Sequence, residues 1–269
     1  MVTSRPATEG VGEIFDRILC GVDGTPQGAE AVRQGARLRS PEGSLTVVSV
    51  FDDGLVAQAG WAATQAAEEL RRDAERALEA AEREVADASF RLVTGRPFAA
   101  LAHEAKRLGS TLVSVGSHSY RRGVGIVLGS VATTMLHEAP CSVLIARAPE
   151  AADEFPRSLV VGIDGSPESA AAAAVAFGLG ERFGAGVQPV SSASGKDVDP
   201  DAAARIAPGV VLDQRRPVDA LVTAARDSDL LVVGSRGLHG IRALGSVSER
   251  VAHRAKCSVL VVRPPARAS

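Results

Sequence analysis

The chain repeats itself, and that repetition limits its possible folds more than any other feature. "ILCGVDGTPQGAEAV" (18–32) aligns without a gap to "LVVGIDGSPESAAAA" (159–173), at an offset of 141 residues. "GRPFAALAHEAKRLGSTLVSVGS" (95–117) recurs as "RRPVDALVTAARDSDLLVVGS" (215–235), with two residues lost between the proline and the glycine. "LGSVATTMLHEAPCSVLIAR" (128–147) then matches "LGSVSERVAHRAKCSVLVVR" (244–263). The same landmarks in the same order twice mean a duplicated domain, and 269 residues leave enough chain for two cores. One domain is read over 1–150 and the other over 151–269, with the polar "APEAADEFPRS" (148–158) as the linker.

Within each half, short β-branched runs such as "SLTVVSV", "CSVLIA", "DLLVVG" and "CSVLVV" read as buried strands, too continuous for a one-sided sheet. Ala-rich segments at helical period separate them. Residues 61–87 put Leu70, Ala74, Leu78, Ala81 and Val85 on one stripe, with Glu68 and Arg72 as an exposed i, i+4 pair. Alternating strand and helix predicts an α/β fold, here two tandem doubly wound domains, each with a parallel sheet flanked by helices. The second is trimmed, because "SSASGKDVDPDAAARIAP" (191–208) stands where the first half carries its long helix, and it reads mostly as loop.

Two places in each half suit a ligand, since open parallel sheets bind at the carboxyl ends of their strands. In "GVDGTP" (21–26) and "GIDGSP" (162–167) a carboxylate, Asp23 or Asp164, ends the first strand. A glycine then turns the chain, Thr25 or Ser166 caps the next helix, and a proline suits its first position. Each aspartate is either a turn residue or an acceptor for a ribose hydroxyl or an adenine amino group. The second place is the loop after Gly116, where Gly129-Ser130 opens a short helix stopped by Pro140. The amides of 130–132 and the Ser130 hydroxyl form either a phosphate cradle or an ordinary serine cap.

These residues resemble the universal stress proteins (UspA-like) in their tandem two-domain form, over residues 15 to 264. That resemblance implies a five-stranded parallel sheet per domain, the adenine nucleotide alpha hydrolase-like fold. Members with a nucleotide site carry a glycine, two residues, a second glycine, nine residues, then Gly-Ser or Gly-Thr, and bind ATP. In the first half Gly116 and Gly129-Ser130 have that spacing, but Ser119 replaces the second glycine. A left-handed serine there costs roughly 1–2 kcal/mol, against about 8 kcal/mol for micromolar binding. In the second half Gly234, Arg236 and Gly237 match, but only seven residues precede Gly245-Ser246. Two missing residues remove up to about 7 Å of chain, so the first domain is the better nucleotide site.

The resemblance assigns Val22, Asp23 and Val48 to the adenosine end, and Gly116, His118, Ser119, Gly129, Ser130 and Val131 to the phosphates. The matching second set is Ile163, Asp164, Gly234, Arg236, Gly237, Gly245, Ser246 and Val247. Arg121 and Arg122 are either phosphate contacts or a solvated loop tip. The cofactor implied is ATP, with or without Mg²⁺. Family members pair their last strands across a two-fold axis. An antiparallel pairing of 142–147 with 258–263 is therefore expected, as an intramolecular pseudo-dimer to which a homodimer interface can be added.

Other classes find little support. A formal net charge of −2 gives no reason to seek nucleic acid or an anionic membrane. Three scattered cysteines without a CxxC fit a reducing, cytoplasmic setting. The apolar run "AAAAAVAFGLG" is too short to span a bilayer. No GxxxxGK[ST], HExxH or GxSxG occurs, and each sheet tip offers one carboxylate rather than an acidic cluster. The expected function is ATP-binding regulation in a stress response, read by an unidentified protein partner, without efficient catalysis and thus not an enzyme. The alternative is a ligand-free interaction module with degenerate loops.

Overall fold

The computed structural model describes residues 15–54, 63–117, 128–148, 155–194, 198–235 and 246–263. The first half runs β1 (Arg17–Val22), α1 (Pro26–Leu38), β2 (Ser44–Phe51), α2 (Ala63–Glu84), β3 (Ser89–Thr94), α3 (Pro97–Leu108), β4 (Leu112–Gly116), α4 (Ser130–Glu138) and β5 (Ser142–Ala146). The second runs β6 (Ser158–Gly162), α5 (Pro167–Phe183), β7 (Gly186–Ser192), α6 (Pro200–Ile206), β8 (Val211–Asp213), α7 (Pro217–Ala224), β9 (Leu230–Gly234), α8 (Ser246–Arg254) and β10 (Ser258–Val262).

Local chemistry sets most of these boundaries. Thr25 and Ser166 cap α1 and α5 through their hydroxyls, each followed by proline in the first turn. Gly109, at φ 59°, ends α3 in the left-handed conformation that glycine adopts without penalty. The segment 191–208 departs from the expected loop. Ser191 and Ser192 complete β7, and Asp199 caps α6 by accepting from the Ala202 amide at 3.0 Å. The Asp-Pro start signal was present, but the short helix it opens has too few turns to show a period.

The strands form one ten-stranded sheet in the order β3-β2-β1-β4-β5-β10-β9-β6-β7-β8. Neighbours within each half are parallel, so each half is the expected five-stranded unit with the same internal order. The halves meet where β5 and β10 pair antiparallel, Val143 with Val261, Leu144 with Leu260 and Ile145 with Val259. The pairing expected between 142–147 and 258–263 thus lies at the centre of the sheet.

Both faces of the sheet are covered, and each core runs unbroken across the seam. One contains Leu101, Ala132, Met135 and Ile145 with Leu221, Val251 and Val259, under α3, α4, α7 and α8. The other contains Val32, Ala77, Ala81 and Leu144 with Ala172, Leu179, Ala203 and Leu260, under α1, α2, α5 and α6. Alternation along β5 sends Val143 and Ile145 to one core and Leu144 to the other. Polar ties cross the seam too. Gln34 on α1 donates to the Arg147 carbonyl (2.7 Å) and accepts from the Ser258 hydroxyl (2.8 Å). The end of the expected linker is also anchored, since Phe155 is buried and its carbonyl accepts from Arg37 at 3.1 Å.

Candidate functional site

Strand order reverses between β1 and β4. The chain leaves β1 toward α1 on one face, and the segment after β4 leads to α4 on the other. A crevice at the carboxyl ends of such a strand pair is where open α/β sheets take ligands. Here it is a cavity of about 250 Å³. Its wall is apolar, from Val48, Val50, Pro97, Leu101 and Val115. Its mouth is Asp23, Gly28, Gly116, Gly129 and Ser130. The volume is near the lower end of ligand pockets, about 300 Å³, and suits a base with its sugar better than a whole nucleoside triphosphate.

Asp23 has a structural task at this mouth. Its Oδ1 accepts from the Thr25 amide (3.1 Å) and hydroxyl (2.6 Å), while the Thr25 oxygen accepts from the Gly28 amide (3.1 Å). Asp164 does the same with Ser166, at 3.0 Å to the amide and 2.5 Å to the hydroxyl. The turn reading of these aspartates is therefore right for one carboxylate oxygen in each half. A Cβ at Gly28 would lie 2.5 Å from Asp23 Oδ1, whereas α5 carries Ser169 at the equivalent position over the same kind of turn.

Across the mouth, the start of α4 settles what Ser130 is. The N-cap is Gly129, which makes no side-chain cap bond, and Ser130 is the first helical residue, exposed. The ordinary serine-cap reading fails here. No acidic residue lies in the first turn, so the positive end of the helix is not offset by its own side chains.

The structure thus brings Val22, Asp23, Val48, Gly116, Gly129, Ser130 and Val131 to one cavity. His118, Ser119, Arg121, Arg122, Arg236, Gly237 and Gly245 lie outside the described residues, as does the side chain of Ser246. In the second half Ile163 is buried, Gly234 ends β9, and Val247 packs on the sheet as Val131 does. Asp199 closes in on the second turn, its amide donating to the Asp164 carbonyl at 3.0 Å. The position of Val50 on the apolar wall is taken there by Ser192, whose hydroxyl donates to the Arg215 carbonyl at 2.7 Å.

Sequence reasoning missed Gly21, Gly28, Val50, Pro97, Leu101 and Val115 in the cavity lining. Gly21, Pro97, Leu101 and Val115 recur as Gly162, Pro217, Leu221 and Val233, so the repeat carried a signal for them, whereas Ser169 and Ser192 break it at Gly28 and Val50. Among the described residues, no three His, Cys, Asp or Glu side chains gather to hold a metal. Burial pushes the thiols of Cys20 and Cys141 up to about 12 and that of Cys257 to about 11.

Comparison with known proteins places this geometry. The model of the Universal stress protein family matches residues 14–147 and 206–263. The chain belongs to the universal stress protein family. A universal stress protein of Mycolicibacterium smegmatis is 29% identical over 92% of this chain and 97% of its own length. One from Mycobacterium tuberculosis H37Rv is 33% identical over 56% of this chain and 60% of its own. Among solved structures, a universal stress protein from Archaeoglobus fulgidus superposes with a TM-score of 0.68 at 19% identity, covering 92% of this chain and 98% of that one. A universal stress protein structure from Pseudomonas aeruginosa superposes with 0.65 at 14%, covering 96% of each. These two likenesses show a shared fold across both halves.

Proposed function

We propose that this universal stress protein binds ATP in its first half and acts as a regulator whose bound state is read by a protein partner. The observation that carries the reading is one shared cavity. It joins an apolar wall for the base, the Asp23 carboxylate for the ribose or amino group, and, for phosphate, the start of α4, whose cap residue Gly129 makes no side-chain bond. Mg²⁺, if it accompanies the nucleotide, is held mainly by the phosphates, as is usual for this ion. Nothing in the reading calls for efficient catalysis, and the cytoplasm, with its ATP and reduced thiols, is the setting it fits.

The test starts from purified protein. Denaturing it should release adenine nucleotide detectable by mass spectrometry. Adding ATP at 100 times its Kd should stabilise the fold by about 2.7 kcal/mol. Absence of both nucleotide release and a thermal shift would overturn the reading in favour of a ligand-free interaction module. That second reading draws on the task Asp23 and Asp164 already perform within their own turns.

A further inference from the structure

Each half ends its last strand with an arginine, Arg147 after β5 and Arg263 after β10. Both side chains cross the seam. Arg263 donates through Nη1 to the Ala139 carbonyl and through Nη2 to the Leu136 carbonyl, at the C-terminal end of α4. Arg147 donates to the Cys257 carbonyl (3.0 Å) and to the Ala252 carbonyl, at and beyond the end of α8. The two arginines hold equivalent places in the repeat, and so do Leu136 and Ala252.

This use of arginine has a physical logic. The last carbonyls of a helix lack intrahelical partners and carry the negative end of its dipole. A guanidinium offers several fixed donors and a charge of the right sign. Arg147 is buried (6% exposed) and burial lowers its pKa to about 10; its two terminal nitrogens face peptide carbonyls, while among the described residues its buried Nε has no hydrogen-bond partner. Burial lowers the Arg263 pKa in the same direction.

The consequence is unequal for the two helices. α4 has nine residues, about 13 Å at 1.5 Å each. One end opens on the cavity at Ser130, and the other is gripped by a residue of the opposite half. We infer that the terminal arginines form a reciprocal clamp, so that the placement of α4, and with it the phosphate end of the first site, is set in trans by Arg263. Arg263 is a positioning residue, and its importance for nucleotide rests on the reading proposed above. The clamp itself does not.

The pseudo-symmetry supplies the control. Arg263→Met and Arg147→Met remove equivalent clamps from equivalent strands, and Arg263→Lys keeps the charge with fewer donors. Hydrogen exchange on the full chain without nucleotide should show amides of 130–138 exchanging on the order of tenfold faster in Arg263→Met. Amides of 246–254 should respond to Arg147→Met, with Arg263→Lys intermediate on α4. ATP affinity should fall about fivefold or more in Arg263→Met and stay within about twofold in Arg147→Met. Equal acceleration of both helices by either variant, or of neither, overturns the clamp. Helix-specific exchange in a protein that binds no ATP supports the clamp and removes only the nucleotide reading. If Arg263→Met fails to fold, Arg263→Lys decides on exchange alone, and wild-type rates throughout α4 overturn the proposal.

Discussion

A methyl group on Gly116 would lie 2.6 Å from the carbonyl carbon and oxygen of Gln27. The end of β4 and the first turn of α1 are therefore packed backbone to backbone. Gly234 stands in the same relation to Glu168, at 2.5 Å from its carbonyl oxygen. The glycine that opens the nucleotide pattern thus has a packing reason in both halves, whether or not a ligand follows. Gly116→Ala and Gly234→Ala should each cost about 1–3 kcal/mol, read as a lowered denaturation midpoint at unchanged slope. Only Gly116→Ala should also weaken ATP, since moving α1 moves the Asp23 turn.

Asp23 joins two tasks that substitution can separate. Asn retains an acceptor for the Thr25 amide and hydroxyl, and Ala does not. Asp23→Asn should hold stability within about 0.5 kcal/mol while Asp23→Ala loses about 1 kcal/mol. Both should weaken ATP in a calorimetric titration. An Asp23→Asn protein that binds ATP like the parent would restrict the carboxylate to its turn.

Ser130 presents the opposite balance. Its hydroxyl does not cap α4, so Ser130→Ala should leave thermal stability within about 0.5 kcal/mol. Its effect should appear in binding, as a loss of about 1 kcal/mol for ATP and little change for adenosine.

The three thiols should be silent in the native protein. With values raised by burial to about 12, 12 and 11, they stay protonated at pH 8, and a thiolate is the reactive form. A disulfide-exchange reagent should label no cysteine before denaturant is added and three after. Fast labelling without denaturant would contradict the packing around Cys20, Cys141 and Cys257.

Glu104 links stability to pH. The Arg107 guanidinium, at 2.7 Å, holds its carboxyl below the usual range, and Arg91 adds to this from 3.3 Å. A carboxylate with a lowered folded-state pKa stabilises the fold above its unfolded value of about 4.3, and that contribution fades as pH falls through the folded value. Glu104→Gln should therefore be less stable than the parent at pH 7, with the gap closing in acid. Denaturant melts at pH 7 and at pH 3 check the sign.

Much of this molecule could be read from residues close together in the chain. The strands and the capped starts of α1 and α5 rest on periodicity and capping within a few residues, and the duplication on repetition along the chain, while the β5–β10 pairing is what the family resemblance implies. The helix α6 escaped because it has only seven residues. Gly28 and Val50 escaped because the second half replaces them with Ser169 and Ser192, leaving no echo to notice.

What the tertiary structure alone decided involves residues distant in sequence. That Pro97 and Leu101 wall the cavity which Asp23 and Ser130 were expected to share follows from α3 packing beside β1 and β2. That Gly116 is a glycine for the sake of Gln27 follows from where α1 crosses the sheet. That Arg263 ends a helix of the other half follows from the seam, which sets residues more than a hundred positions apart in contact. Local patterns determine which elements form, because their energies are spent within a turn or a strand. Which side chains meet is decided by strand order and by the packing of helices on a shared sheet, and no short stretch of sequence contains that information.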